Sequence, residues 1–354
     1  MRAPTVYLIL FSLVAATTGL GAETHRFAPQ VFYASFSGAH PPVLRIKSGD
    51  RVITTTLDDI GMDASGKVVA SGPNPQTGPF YIEGAEPGDL IVVTIEKLEP
   101  NRETGESTSS MVANAIDPGS ITSRPDPKRF PWTIDKTQGV VRFDLRTLAP
   151  RVNWGTRFST TTIEMPLRPV LGSIGVAPAK EALASTQPGA FGGNLLSTGL
   201  GVGTRVMLPV LQPGALLFLG NGHARQGDGG VTGTGIETSL DVEFSVEVVK
   251  KKAWPHSSVA RASTVAGEFE LAWPRVETED YLMTVGSAPS LLVALQHATI
   301  ELHHWLDDDF GLSEKAVSVL VGQAIEYEIA SIAEGNATVV AKVRKAYLPR
   351  PATE

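Results

Sequence analysis

The chain has 354 residues, of which 42% are hydrophobic and 19% are charged, and its formal net charge at pH 7 is -7. This composition is typical of a globular protein with a substantial core, and the negative charge gives no reason to expect a nucleic-acid partner. The sequence contains no cysteine, which excludes disulfides, thiol nucleophiles and thiolate metal sites. Any transition-metal site must therefore use histidine, carboxylates or carbonyl oxygens.

The N-terminal residues have the three-part pattern of a secretory signal peptide. Arg2 is followed by an apolar run from Val6 to Ala16 and then by small residues. The run is too short for a membrane-spanning helix, which needs about 20 residues. We therefore predict a signal peptide over residues 1–22 and a mature chain that is exported, to the periplasm or outside the cell, without a membrane partner. The alternative is an uncleaved anchor.

From residue 23 onward, short β-branched runs alternate with glycine and proline turns, which predicts a mainly β protein of the sandwich or barrel type. In "VLRIKSGDRVITTTLDD" a Gly-Asp turn separates two strands, and residues 240–248 alternate between apolar and polar as a half-buried strand does. We predict an N-terminal β-sandwich domain over residues 23–165 and a second β domain over 166–280.

Helical periodicity is confined to residues 281–354, which we predict to be a helical segment packed on the β core. One helix lies in "SAPSLLVALQHATIELHHWLDDD", where apolar residues recur at spacings of three and four. A second helix is predicted to begin after Ser313, as its N-cap, and to end at Gly335. A final strand is expected over residues 339–343.

The stretch "GNGHARQGDGGVTGTG", from Gly220 to Gly235, holds the best candidate among the seven histidines. Glycines allow the backbone to approach a ligand closely, so a loop of this kind can bring His223 and Asp228 into one concave site. The alternative is a glycine-rich hairpin with a structural histidine.

A second stretch, "NPQTGPFYIEGAEPGD", places Glu83 and Glu86 in a frame of glycine and proline. Glu83 is predicted near the end of a strand, which is a common place for a ligand or a general base. The alternative is an ordinary strand between two turns.

Together these stretches resemble the acetamidase/formamidase family, and the similarity runs over nearly the whole mature chain. The blocks that carry it are TGP-EGAEPGD and HA-QGDG, with "PGAFGGN" and "GTGIETSLDVEFSV" beside them. The resemblance implies a β-sandwich plus a smaller barrel-like β part, with helices near the C-terminus. It also implies hydrolysis of short aliphatic amides to carboxylate and ammonia, a divalent metal and a homo-oligomer.

The resemblance also implies roles for residues in the matching blocks. The expected metal ligands are Asp58, Glu83, His223 and Asp228; the expected catalytic residues are Glu83, Glu86 and Gln226; the expected substrate-binding residues are Asn194 and Asn221. The expected ion is zinc, with calcium as the alternative. Zinc lowers the pKa of bound water from 15.7 to about 7 and polarises a carbonyl group, while Glu83 or Glu86 would carry a proton to the departing nitrogen.

The sequence departs from the family pattern at three positions. Asn221 stands where an aspartate usually precedes Gly-His, Gly230 where a glutamate usually follows Gly-Asp-Gly, and Leu196 where many members have an acidic residue. Two hypotheses follow. The first is an exported metal-dependent hydrolase of short amides, and the second is a catalytically degenerate relative that binds an amide-like ligand without efficient turnover.

Overall fold

The computed structural model describes residues 22–120, 128–148, 159–251, 273–333 and 335–349. The predicted signal peptide lies outside the described residues, apart from its last position. Neither helix of the described chain has the length and apolar character that crossing a membrane requires.

The strands are numbered in chain order. They are β1 (Thr24–Arg26), β2 (Phe32–Tyr33), β3 (Ser35–Phe36), β4 (Leu44–Ile46), β5 (Arg51–Thr55), β6 (Gln76–Ile82), β7 (Leu90–Pro100), β8 (Thr104–Thr108), β9 (Arg129–Asp135), β10 (Val140–Asp144), β11 (Thr162–Pro166), β12 (Val170–Val176), β13 (Leu183–Ala184), β14 (Pro188–Gly189), β15 (Gly192–Gly193), β16 (Arg205–Pro209), β17 (Leu217–Arg225), β18 (Ile236–Glu237), β19 (Leu240–Val249), β20 (Arg275–Glu277), β21 (Tyr281–Ala288), β22 (Glu326–Ser331) and β23 (Ala337–Arg344). The helices are α1 (Leu291–Phe310) and α2 (Glu314–Ala324).

Most strands belong to two large sheets. The nine-stranded sheet has the order β1-β5-β19-β7-β16-β20-β21-β23-β22. The twelve-stranded sheet has the order β11-β10-β9-β8-β18-β17-β12-β15-β14, and β6 joins it by pairing with β17 and carries β2 and β4. The remaining pair is β3 with β13. The mainly β prediction is confirmed, although the described residues form open sheets and no closed barrel.

The main core lies between the two large sheets. Phe80 in β6 and Phe244 in β19 come from different sheets, and their ring centroids are 5.4 Å apart in an edge-to-face arrangement. Both side chains are almost completely buried. Burying a side chain of this kind contributes about 1.5–3 kcal/mol, so these contacts hold the two sheets face to face.

The two large sheets combine strands from all three predicted units. The nine-stranded sheet, for example, pairs β5 of the first unit with β19 of the second, and β20 of the second with β21 of the third. The domain boundaries at residues 165 and 280 stay predictions.

The first predicted helix is confirmed as α1, which packs on β21 and β23. Its buried face includes Ala298, Leu302 and Trp305, and it ends at Gly311, whose φ of 61° is left-handed. In α2 the hydroxyl of Ser313 accepts a hydrogen bond from the backbone N–H of Ala316, as predicted for an N-cap.

The prediction that α2 continues to Gly335 is wrong. The helix ends at Ala324, and residues 326–331 form β22, which pairs with β23. In that strand Tyr327 and Ile329 are exposed while Glu328 and Ala330 are buried. The apolar residues of this segment have a helical spacing, but the segment forms a strand. Hydrogen bonds to β23 and the alternating burial of its side chains outweigh that spacing.

Candidate active site

Strand β17 is the element that positions the site. It pairs with β12 on one side and, on the other, first with β6 and then with β18. The change of partner falls between Gly220, opposite Gln76, and His223, opposite Glu237. Asn221 lies at this change with a φ of 56°, so the strand is locally distorted where its polar residues begin.

His223 is an interior residue of the fold, with only 1% of its surface exposed. Its imidazole lies between two glycines. A Cβ atom on Gly172 would be 2.9 Å from Cε1 of the ring, and one on Gly235 would be 2.8 Å from Cγ. Because real Cβ contacts are not this short, neither position accommodates a side chain while the ring keeps its place.

The Nε2 atom of His223 faces two acceptors. It is 3.0 Å from Oε1 of Glu237 and 3.1 Å from Oδ1 of Asn221. Two acceptors at one nitrogen place the hydrogen of the neutral ring on Nε2, which leaves the lone pair on Nδ1. Among the described residues, the buried Nδ1 of His223 and the buried Oε2 of Glu237 have no hydrogen-bond partner. Both residues line one cavity, and these two atoms are the polar groups of the pair whose hydrogen-bonding capacity is unused.

Burial and charge shift the proton affinities of this pair. Burial, the strongest influence, raises the pKa of Glu237, because the charged form loses its hydration. Burial on its own lowers the pKa of His223, but the charge of Glu237 and the hydrogen bond to it outweigh this effect, so the pKa of His223 is raised. The negative charge of Asp59 adds to both increases. The pair therefore retains protons to higher pH than isolated side chains would.

A chain of carboxamide groups continues from Asn221. Its Nδ2 donates to Oδ1 of Asn194 at 2.9 Å, and the same oxygen accepts a 3.3 Å hydrogen bond from Nδ2 of Asn74. Nδ2 of Asn74 also donates to the carbonyl of Ser185. Because Oδ1 of Asn194 accepts twice, a rotation of this amide would break both bonds. Asn194 is thus fixed as a donor, with its NH₂ group available for a ligand.

Gln226 has the opposite polarity. Its Nε2 donates to the backbone carbonyl of Leu196 at 2.8 Å, and its Oε1 is buried without a hydrogen-bond partner in the described chain. It is thus fixed as an acceptor.

These groups line one small cavity of about 100 Å³. Its polar lining consists mainly of Asp59, Asn74, Asn194, Asn221, His223, Gln226 and Glu237, and its apolar lining includes Pro73, Leu196 and Ala333. The carboxylate of Asp59 is paired with the guanidinium of Arg129 through two hydrogen bonds, which partly neutralises its charge.

The structure brings together four of the predicted site residues. Asn194 comes from one segment and Asn221, His223 and Gln226 from another, and all four line the same cavity. Their predicted roles in catalysis and substrate binding remain to be tested, but their proximity is a property of the fold.

The other predicted residues do not line this cavity. Glu83 follows the far end of β6, whose 7 residues span roughly 20 Å, whereas Gln76 at its near end bonds to Asn74. The side chain of Glu83 is 44% exposed and lies 3.7 Å from Arg45. Glu86 is exposed in the turn that follows. The hydrophobic run before Glu83 forms strand β6, and Glu83 follows the end of that strand distant from His223.

Asp58 and Asp228 are engaged elsewhere. Asp58 bonds to the guanidinium of Arg102 at 2.6 Å and accepts from two backbone N–H groups, so it serves a buried turn. Asp228 lines a separate open groove with Glu328 and Lys342. Burial, followed by the charge of Glu328, raises the pKa of Asp228.

The proposed metal ligands therefore do not meet. Asp58, Glu83, His223 and Asp228 share no cavity, and within the described ranges no three or more histidine, aspartate and glutamate side chains are grouped so as to hold a metal ion. These residues do not fit the predicted ion, and the divalent metal itself stays a prediction.

Sequence reasoning missed three carboxylate or carboxamide side chains of the lining, those of Asn74, Asp59 and Glu237. Asp59 is adjacent to the predicted Asp58, and only the turn geometry decides which carboxylate reaches the cavity. Glu237 follows Gly235 by two positions in a block already recognised as part of the resemblance. The alternation of β18 was the available signal, since Ile236 packs in an apolar cluster on the opposite face.

Comparison with known proteins agrees with this description. A family model described as "Acetamidase/Formamidase family" matches residues 39–189 and 179–345. The chain belongs to the acetamidase/formamidase family.

Relatives in this family have modest sequence identity to the chain. An acetamidase of Mycolicibacterium smegmatis is 27% identical over 215 residues, which cover 49% of this chain and 53% of the relative. A formamidase of Methylophilus methylotrophus is 24% identical over 349 residues, with 83% of each chain covered. The chain thus matches about half the length of the first of these two relatives.

The fold is also similar to that of a solved family structure. The crystal structure of an acetamidase from Yersinia enterocolitica aligns with a TM-score of 0.73 and 27% identity, covering 94% of this chain and 95% of that one.

Proposed function

We propose that this family member hydrolyses short aliphatic amides, of the size of formamide or acetamide, to carboxylate and ammonia. The observation that carries the proposal is the buried His223–Glu237 pair beside oriented carboxamides in one small cavity. A cavity of about 100 Å³ has the volume of roughly three water molecules in the liquid, which suits a small substrate. The names of the relatives support the same chemistry.

Binding of the amide uses the two fixed carboxamides. The NH₂ group of Asn194 donates to the substrate carbonyl oxygen, and Oε1 of Gln226 accepts from the substrate nitrogen. A donor placed where negative charge develops typically contributes 10²–10³ in kcat. Because both amides are held by other hydrogen bonds, little reorganisation accompanies binding.

His223 provides the acid–base chemistry. Nδ1 of the neutral ring removes a proton from a water molecule as its oxygen attacks the carbonyl carbon. The resulting imidazolium returns that proton to the nitrogen as the carbon–nitrogen bond breaks, so that ammonia leaves in place of the very basic amide anion. Such general acid–base catalysis contributes about 10²–10⁴.

Glu237 contacts Nε2 of His223, the ring nitrogen that does not take the proton from water. Its Oε1, 3.0 Å from Nε2, holds the hydrogen on that nitrogen and stabilises the imidazolium. In a buried site this charge interaction is much stronger than in water.

Release of ammonia from formamide, acetamide and propionamide by the purified chain tests the proposal. We expect release from at least one of them above that of a His223→Ala variant, with His303→Ala, a half-buried position within α1, as the matched control. Calorimetric binding of acetamide without release would instead favour the degenerate binding protein.

The same assay after dialysis against a chelator examines the predicted metal. If activity is lost and a divalent ion restores it, side chains other than Asp58, Glu83 and Asp228 complete the site.

We further propose that the mature chain is exported after removal of residues 1–22 and that it forms a homo-oligomer. N-terminal sequencing of the protein secreted by its native host, and sedimentation of the purified chain, test these two points. An intact N-terminus or a monomer at micromolar concentration would contradict them.

A further inference from the structure

The apolar part of the cavity wall has a separate role from the polar part. The proposed substrate presents its carboxamide to His223, Asn194 and Gln226, so its alkyl group must lie against side chains that form no hydrogen bonds. Leu196 is the largest apolar side chain in the lining. It is 7% exposed.

Leu196 is tied directly to the proposed binding groups. Its carbonyl accepts the 2.8 Å hydrogen bond that orients Gln226. Its backbone N–H donates to the carbonyl of Gly172, the glycine that lies against the imidazole. It follows Asn194 by two positions in the chain. The Leu196 side chain is therefore held in a defined position relative to the groups that bind the carboxamide.

The backbone at Leu196 is strained. Its φ of 54° is left-handed, as are those of Asn74 and Asn221, at 50° and 56°. In the described part of the chain five residues other than glycine have a positive φ, and these three line the cavity. A left-handed backbone is unfavourable for a residue with a Cβ atom, and such strain concentrates at functional sites.

We infer that Leu196 limits the size of the acyl group that the cavity accepts, so that the enzyme favours formamide over butyramide. This inference rests on the proposed amide hydrolysis. The leucine occupies the space that a longer alkyl chain would need.

The test compares kcat/KM for formamide and butyramide in the wild type, in Leu196→Ala and in Leu196→Gly. Formamide has no alkyl group, so it serves as the internal reference. We expect the butyramide-to-formamide ratio to rise by about 10-fold or more in both variants, because each methylene accommodated in an apolar pocket is worth at least that much. Leu196→Gly also relieves the left-handed strain, which keeps the folded state accessible.

Leu216→Ala is the matched control. Leu216 is likewise a buried leucine, at 6% exposure and with a φ of 58°, but it does not line the cavity. Its substitution should leave the ratio unchanged even if it lowers the melting temperature.

An unchanged ratio in both Leu196 variants, with ammonia still released from formamide, overturns the inference alone. Release of ammonia from no amide by the wild type overturns the proposed function and the inference with it.

Discussion

His223 and Glu237 lie opposite each other on the antiparallel strands β17 and β18, with 3.0 Å between Nε2 and Oε1. Both side chains are almost completely buried. An uncompensated charge at either position would be costly, so each residue makes the other acceptable in the interior. This pair is the basis of the proposed mechanism.

Glu237→Gln should lower kcat for acetamide by about 100-fold with a smaller change in KM. The glutamine keeps the shape but loses the charge that stabilises the imidazolium. Steady-state ammonia release measures the effect. Glu86→Gln, in the exposed turn after β6, is the control, and an equal loss in that variant would show that the effect is not specific to the pair.

The pH dependence follows from the raised pKa of His223. Only the neutral ring can take a proton from water, so activity should fall as the pH drops through the folded-state pKa. That pKa lies above the ordinary histidine value of 6.5. We therefore expect the acid limb of the kcat/KM profile to have its midpoint above 6.5, and a midpoint below this value would contradict the assignment.

Gly235→Ala should displace the imidazole, because the new Cβ would be 2.8 Å from its Cγ atom. A misplacement of this kind can cost up to about 100-fold in rate. Gly227→Ala is the matched control, since a Cβ there meets nothing within 4 Å and the position has no left-handed φ. We expect a large loss of kcat in Gly235→Ala and little change in Gly227→Ala. Equal activities would argue that the contact between Gly235 and the imidazole does not position the ring.

Asn194→Asp distinguishes two roles of Asn194: donating a hydrogen bond to the substrate, and accepting hydrogen bonds from Asn74 and Asn221. The aspartate retains an oxygen that accepts from Asn74 and Asn221, but it cannot donate to the substrate carbonyl. We expect kcat to fall by about 10²–10³ while the thermal midpoint changes by only a few degrees. A large drop in midpoint with kcat retained would mean that Asn194 is structural.

Much of the fold could be predicted because local patterns and tertiary structure agree. The Gly49–Asp50 turn, the alternation in β19 and the Ser313 cap each satisfy a local rule and each occurs in the structure. The end of α2 could not be predicted in this way, because pairing with β23 decides the conformation of residues 326–331.

The site was partly predictable for the same reason. The glycines of residues 220–235 predicted a close approach of the backbone to a ligand, which stays a prediction. Gly235 of that stretch lies against the ring of His223, as does Gly172, which lies outside the stretch. Glu237, the partner of His223, could not be identified from the motifs, which pointed to Asp58, Glu83 and Asp228 instead. Strand register places Glu237 opposite His223 and carries Glu83 to the far end of β6, and register depends on pairing between distant segments.

The central claim is that His223, and not the carboxylates of the turn after β6, performs the proton transfer. The most direct measurement is kcat/KM for acetamide in His223→Ala and Glu83→Ala, each compared with the wild type. We predict a loss of about 10²–10⁴ for the first and an unchanged value for the second. A Glu83→Ala enzyme as impaired as His223→Ala, or a His223→Ala enzyme with wild-type activity, would contradict the account.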